Sequence, residues 1–285
     1  MALKDLLVYV DRTKAALVRM RLAVDLACRH ASHLTALYVR ELTRAQLDER
    51  STAELGLASA LQLDRLDRDH QASIDRAAAR LQSALKVLEQ AHSITAEWRS
   101  VNGLASVEVP QHARYADLTI LGHRSDADPI EYSFSEHLLF VTGRPVLFVP
   151  AVGSLRTLGR HIVVAWNSSR AAARAVNDAL ALIERAERTT VVTVNPGDFI
   201  GRHNAPPAER MVEHLRRHSA CVDLVQLENI PAGSIGDALQ AEARTLGADL
   251  VVAGAFGHPR LWEKLLGGVT RDLLARMTLP ILMSH

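Results

Sequence analysis

ADLVVAGAFGHPRLWEKLLGGVT, residues Ala248 to Thr270, opens on Leu250, Val251, Val252 and Ala253, a short apolar run closed by glycine. Such a run, bounded by turn residues, reads as a buried strand of a parallel sheet. Gly254 and Gly257 follow, then nine residues, then Gly267 and Gly268, then a helical pattern from Val269 to Met277. A strand that passes through glycines into a helix can hold an anion. Glycine lets main chain approach closely, turn amides point at the oxygens, and the helix N-terminus adds its dipole. Thr270 brings a hydroxyl to the same place. The other reading is that these glycines only turn the chain.

Working outward, strand and helix patterns alternate along all 285 residues. Asp5 to Val10, Leu34 to Val39, Ile94 to Val101, Asp117 to Leu121 and Pro145 to Val149 read as strands. The first strand ends in Asp11-Arg12-Thr13, and helices are expected after it to about His30, through the stripe Ile74, Ala77, Ala78, Leu81, Leu85 and Leu88, and over Ala105 to Tyr115 despite Pro110. The order then recurs. His161 to Trp166, Thr190 to Val194, Val222 to Leu227, the Leu250 run and Pro280 to Met283 read as strands. Between them lie helical patterns at Ala171 to Ala186, Ala208 to His218 and Ser234 to Leu246. Asp11 matches Asn167 at an offset of 156, Gly122 matches Gly254 at 132, and Pro145 matches Pro280 at 135. The chain is therefore a tandem duplication, with domains at 1–152 and 160–285. Alternation of this kind specifies an α/β fold, here two open sheets of parallel strands with helices on both faces.

The spacing Gly254-x2-Gly257-x9-Gly267 resembles the ATP-binding signature of the universal stress protein family, which ends in Ser or Thr where this chain has Gly268. The resemblance extends over nearly the whole chain, as two family domains in tandem. It implies an open five-stranded, Rossmann-like sheet in each and ligands at the carboxyl ends of the strands. It also implies an ATP or ADP site in the second copy, with Mg as an optional companion. By resemblance, Asn167 and Val194 would surround the adenosine and Ala253 would wall the base. Gly254, Gly257, Gly267, Gly268, Val269 and Thr270 would surround the phosphates. Strand-end packing is the competing reading for Val194 and Ala253. Arg260 and Lys264 could reach phosphates, but read more simply as solvated helix charges.

The copies differ. In the first, only Gly122 remains of the glycines, Ser125 replaces the second, and Asp126, Asp128, Glu131 and Glu136 crowd the following loop. Carboxylates there would repel a triphosphate. The first copy therefore reads as having lost nucleotide binding, although it keeps Asp11, the acid that in the family lies near adenine and ribose. In the second, Asn167 can hydrogen-bond a ribose or base edge but cannot give a metal shell the same charge.

Several other classes are excluded or disfavoured. Net charge is +1, which makes no electrostatic case for nucleic acid or an anionic membrane. No apolar stretch approaches a membrane span. The N-terminus lacks a signal core, and Cys28 and Cys221 form no disulfide framework, so a cytoplasmic setting is expected. His214 and His218 stand at metal-binding spacing with only His203 as a third candidate, and an exposed basic face explains them better. There is no Walker loop and no Gly-x-Ser-x-Gly elbow; Ser168 and Ser169 read as helix caps. The tryptophans Trp98, Trp166 and Trp262 are too scattered for a stacking surface.

The expectation is a stress-response protein with an ATP or ADP site in its second copy, acting as a sensor or regulator with slow or no hydrolysis. The rivals are a nucleotide-free scaffold and an adenylating ligase or pyrophosphatase, whose added signatures are missing. The last strands of the two copies are expected to pair antiparallel within one chain. A homodimer is a further option, given the apolar surface of Leu55 to Leu88.

Overall fold

The apolar runs read above become the strands of one ten-stranded sheet, described by a computed structural model over residues 2–41, 57–123, 129–151, 157–196, 208–219, 221–255 and 268–285. The first half runs β1 (Asp5–Tyr9), α1 (Ala15–His30), β2 (His33–Glu41), α2 (Leu57–His92), β3 (Thr95–Gly103), α3 (Ala105–Ala113), β4 (Leu118–His123), α4 (Pro129–Thr142) and β5 (Val146–Pro150). The second half repeats it. β6 (His161–Ala165), α5 (Arg170–Ile183), β7 (Arg188–Val194), α6 (Glu209–Arg216) and β8 (Val222–Leu227) are followed by α7 (Ile235–Thr245), β9 (Leu250–Gly254), α8 (Gly268–Ala275) and β10 (Ile281–Ser284).

Strand order is β3-β2-β1-β4-β5-β10-β9-β6-β7-β8. All neighbours are parallel except β5 and β10, which meet antiparallel with Leu282 opposite Leu147 and Ile281 opposite Phe148. This is the pairing expected from the sequence. Because it inverts one half against the other, the carboxyl ends of the first-half strands lie at the opposite end of the sheet from those of the second. Both halves reverse strand order beside their first strand, between β1 and β4 and between β6 and β9, and the crevice of an open α/β sheet lies at such a point.

The two faces of the sheet carry two continuous cores. One buries Met20, Leu26, Leu81 and Leu85 of α1 and α2 together with Val176, Leu180 and Leu215 of α5 and α6. The other buries Val109 and Leu138 of α3 and α4 together with Leu239 and Leu274 of α7 and α8. Each core crosses the β5–β10 seam without a break. The stripe at Ile74, Ala78, Leu81 and Leu85 is spent on this core rather than left for a partner, while Leu55 lies outside the described residues. Glu131 and Glu136 stand on α4, not in a loop as expected, because the helix starts at Pro129, a favoured first-turn residue. Ser125, Asp126 and Asp128 lie outside the described residues.

The duplication is visible in hydrogen bonds as well. Asp117, ahead of β4, accepts the main-chain amides of Lys4 and Asp5 at 2.7 and 3.0 Å. Asp249, ahead of β9, accepts those of Arg160 and His161 at 3.0 and 3.1 Å. Each carboxylate ties the start of a fourth strand to the start of a first. Replacing Asp249 by Ala is expected to cost about 1–3 kcal/mol in chemical unfolding, since it strips two amides of a charged acceptor.

Candidate functional site

At the carboxyl end of β6 the chain turns through Trp166, Asn167, Ser168 and Ser169 into α5. The Asn167 side-chain oxygen accepts the Ser169 amide at 3.1 Å, and the Ser169 hydroxyl accepts the Ala172 amide at 3.1 Å. Ser169 is thus the N-cap expected from the sequence. Ser168 takes a left-handed φ of 57°. The same turn stands in the first half, where the Asp11 oxygen accepts the Thr13 amide at 2.8 Å. Asx turns of this kind explain Asp and Asn at the matched positions without any ligand.

Beside it, Val194 ends β7, and Ala253 and Gly254 end β9; Ala165 of β6 stands between Val192 on one side and Ala253 on the other. Val194 and Ala253 place their side chains in the core under α7 and α8, so a ligand could meet only their main chain. Gly254 has a packing reason of its own. A Cβ there would lie 2.8 Å from the Ala171 carbonyl oxygen and closer still to the Ala171–Ala172 peptide, because the first turn of α5 rests on the strand. Gly268 opens α8, Val269 is half-buried and Thr270 is buried within its first turn. Gly257, Gly267, Arg260 and Lys264 lie outside the described residues. Asn167, Val194, Ala253, Gly254 and the start of α8 therefore belong to neighbouring strand ends at one order reversal.

Asn195, not singled out from the sequence, follows Val194 with a φ of 47°. Its side chain donates to the Ile230 carbonyl at 2.7 Å and accepts the Ile230 amide at 3.0 Å, locking the β7 and β8 exits together. The Asn195-Pro196 dipeptide after an apolar strand was the available signal.

The corresponding end of the first half carries a part-buried ion pair. Arg19 of α1 is buried at 2% exposure; its Nε donates to the Tyr9 carbonyl at 2.9 Å and its guanidinium meets the Asp11 carboxylate at 2.7 Å. A Cβ on Gly122 would lie 2.8 Å from Arg19 Cζ and nearer still to Nη1. Burial raises the Asp11 carboxyl, but Arg19 and the Thr13 hydroxyl and amide outweigh it and hold the group below the ordinary value of 3.8. The pair's contribution to stability is therefore complete above that value and is lost as pH falls through the lower folded value. On the other face of β4, His123 is buried edge-on to Phe148 at 6.1 Å, and burial pushes its imidazole down to about 4. Nothing near Arg19 in the sequence marks it, but laying the copies together would have done so. At the offsets of 156 and 132, Arg19 faces Ala175 and His123 faces Ala255.

His214 and His218 meet edge-on at 5.1 Å, with the Glu184 carboxylate 3.5 Å from His218 Nδ1. Among the described residues no group of three side chains could hold a metal ion, and His203 lies outside them. Cys28 and Cys221 are free thiols. No helix among the described residues is long and apolar enough to cross a membrane.

Comparison with known proteins agrees with this geometry. Residues 159–285 match the universal stress protein family. Among solved structures, a universal stress protein from Archaeoglobus fulgidus DSM 4304 aligns at a TM-score of 0.70 and 16% identity, over 98% of this chain and 95% of that one. A functionally unknown protein from Pseudomonas aeruginosa PAO1 aligns at 0.58 and 17%, over 99% and 92%. A universal stress protein in complex with cAMP aligns with 53% of this chain and 100% of its own, at 0.35 and 16%. No curated protein matches the chain. The second half of the chain is thus similar to the universal stress protein family, and the first half repeats the fold of the second.

Proposed function

We propose that the second half binds ATP or ADP at the carboxyl ends of β6, β7 and β9, and that the chain serves a cytoplasmic stress response as a nucleotide-dependent sensor or regulator. Residues 1–152 and 160–285 are the two domains of this reading, and a homodimer is compatible with it. The observation that carries it is positional. The Gly254-x2-Gly257-x9-Gly267 spacing bridges the end of β9 and the start of α8, beside the reversal of strand order where such folds take ligands. Asn167 and the main chain of Val194 and Ala253 would border the adenosine. The main chain of Gly254, Gly257, Gly267, Gly268 and Val269, with the Thr270 hydroxyl, would take the phosphates. Mg, where present, would ride on the phosphates. Hydrolysis is slow or absent, since no side chain of this set is a base suited to activating water.

A second reading, a nucleotide-free scaffold, is favoured by one observation: Gly254 and Asn167 both have packing or turn roles that need no ligand. Denaturing freshly purified protein and identifying released small molecules by mass spectrometry, followed by calorimetric titration with ATP, separates the two. ATP or ADP near one per chain supports binding. Gly257→Leu is then expected to weaken ATP affinity by about 100-fold or more, through loss of close main-chain approach to phosphate. An empty protein that ignores added ATP leaves the scaffold.

A further inference from the structure

We propose that the first half's strand-end site is occupied by the chain's own Arg19, so that the protein offers one ligand site per chain and Asp11 serves as the counter-ion of an internal cation. The count of one rests on the nucleotide reading of the second half; the occupancy of the first does not. The two ends are matched turn for turn, with Asp11 and Thr13 standing where Asn167 and Ser169 stand. Between β1 and β4, where the second half has Ala175, Arg19 spans from the Tyr9 carbonyl to the Asp11 carboxylate and lies over Gly122.

The glycine shared by the two copies is used differently. At Gly254 the nearest obstacle is the main chain of α5, so the helix itself sits down on the strand. At Gly122 the nearest obstacle is the Arg19 guanidinium. On the opposite face of the same strand end His123 fills the place that Ala255 holds in the second half. A ligand entering the first site would have to displace a buried cation from its carboxylate. A buried charge left without its partner is costly, so the pair holds the site shut. Asp11, the residue that most suggests a surviving ligand site in the sequence, is thereby consumed.

The test is a thermal cycle on the full chain with Asp11→Ala, Arg19→Met and the double variant, read beside calorimetric ATP stoichiometry. Asp11→Ala strands the buried guanidinium and is expected to lower Tm by about 5–10 °C. Adding Arg19→Met is expected to recover at least half of that fall, because an apolar side chain of similar length no longer needs the carboxylate. ATP stoichiometry stays at one per chain in the wild type and in Asp11→Ala, with affinity unchanged within about twofold. An Asp11→Ala protein that melts within about 2 °C of wild type overturns the proposal. Two ATP per chain, or an affinity lost on Asp11→Ala, overturns it as well. A wild type that binds no ATP overturns the nucleotide reading alone, and the thermal cycle then decides the occupancy of the first site by itself.

Discussion

Gly254→Val is expected to lower Tm by about 10 °C with no nucleotide present, while Gly233→Ala leaves it nearly unchanged. The difference lies in what each new side chain meets. At Gly233 nothing lies within 4 Å. At Gly254 the first added carbon lands against the Ala171–Ala172 peptide, which is the capped first turn of α5 and cannot swing aside as a side chain can. Relief requires lifting α5, and with it Ala175, Val176 and Ala179, off the shared core. Overpacking ordinarily costs about 1–3 kcal/mol, and an immovable obstacle puts this substitution at or beyond the upper end. Calorimetry or far-UV circular dichroism on ligand-free protein measures it. A Gly254→Val protein melting within about 2 °C of wild type would sink the packing account and return the glycine to phosphate approach alone. The matched change at Gly122 fails by another route, since the obstacle there is Arg19 and its displacement breaks the ion pair with Asp11.

The seam between the halves carries the second large effect. Leu282 and Leu147 face each other across the antiparallel β5–β10 pair, and both are fully buried. Leu282→Ala is expected to cost about 2–5 kcal/mol, from lost transfer energy and the cavity left behind. Because both cores cross the seam, the loss should appear as one cooperative transition shifted as a whole, with probes in either half moving together. Two separate transitions, with only that of the second half shifted, would refute a shared core. The same geometry makes the halves poor independent units. A fragment of residues 157–285 exposes the apolar edge of β10 and should self-associate through it, since an unpaired hydrophobic edge recruits another strand.

Most of the fold was legible in the residues. Alternating short apolar runs and 3.6-period stripes located the strands and helices, and the offsets Asp11 to Asn167 and Gly122 to Gly254 revealed the duplication. The final strands, short and apolar behind Pro145 and Pro280, implied edges that had to be covered, and they cover each other. Local chemistry of this kind survives folding because it depends on near neighbours in the chain. The Ser169 cap and the Asx turns at Asp11 and Asn167 belong to the same class.

The roles of individual site residues were a different matter. Glycine at 122 and 254 reads identically in sequence, yet one accommodates a guanidinium and the other a helix turn. Asp11 looks like a ligand-binding acid until Arg19, eight residues away on the next helix, is seen to reach back to it. What the sequence determined by itself was the repeated α/β architecture and the strand-end location of the glycine-rich segment, because periodicity and turn chemistry are local. What only the tertiary structure decided was which strand end is filled, since occupancy depends on how closely a helix packs on a strand distant in sequence.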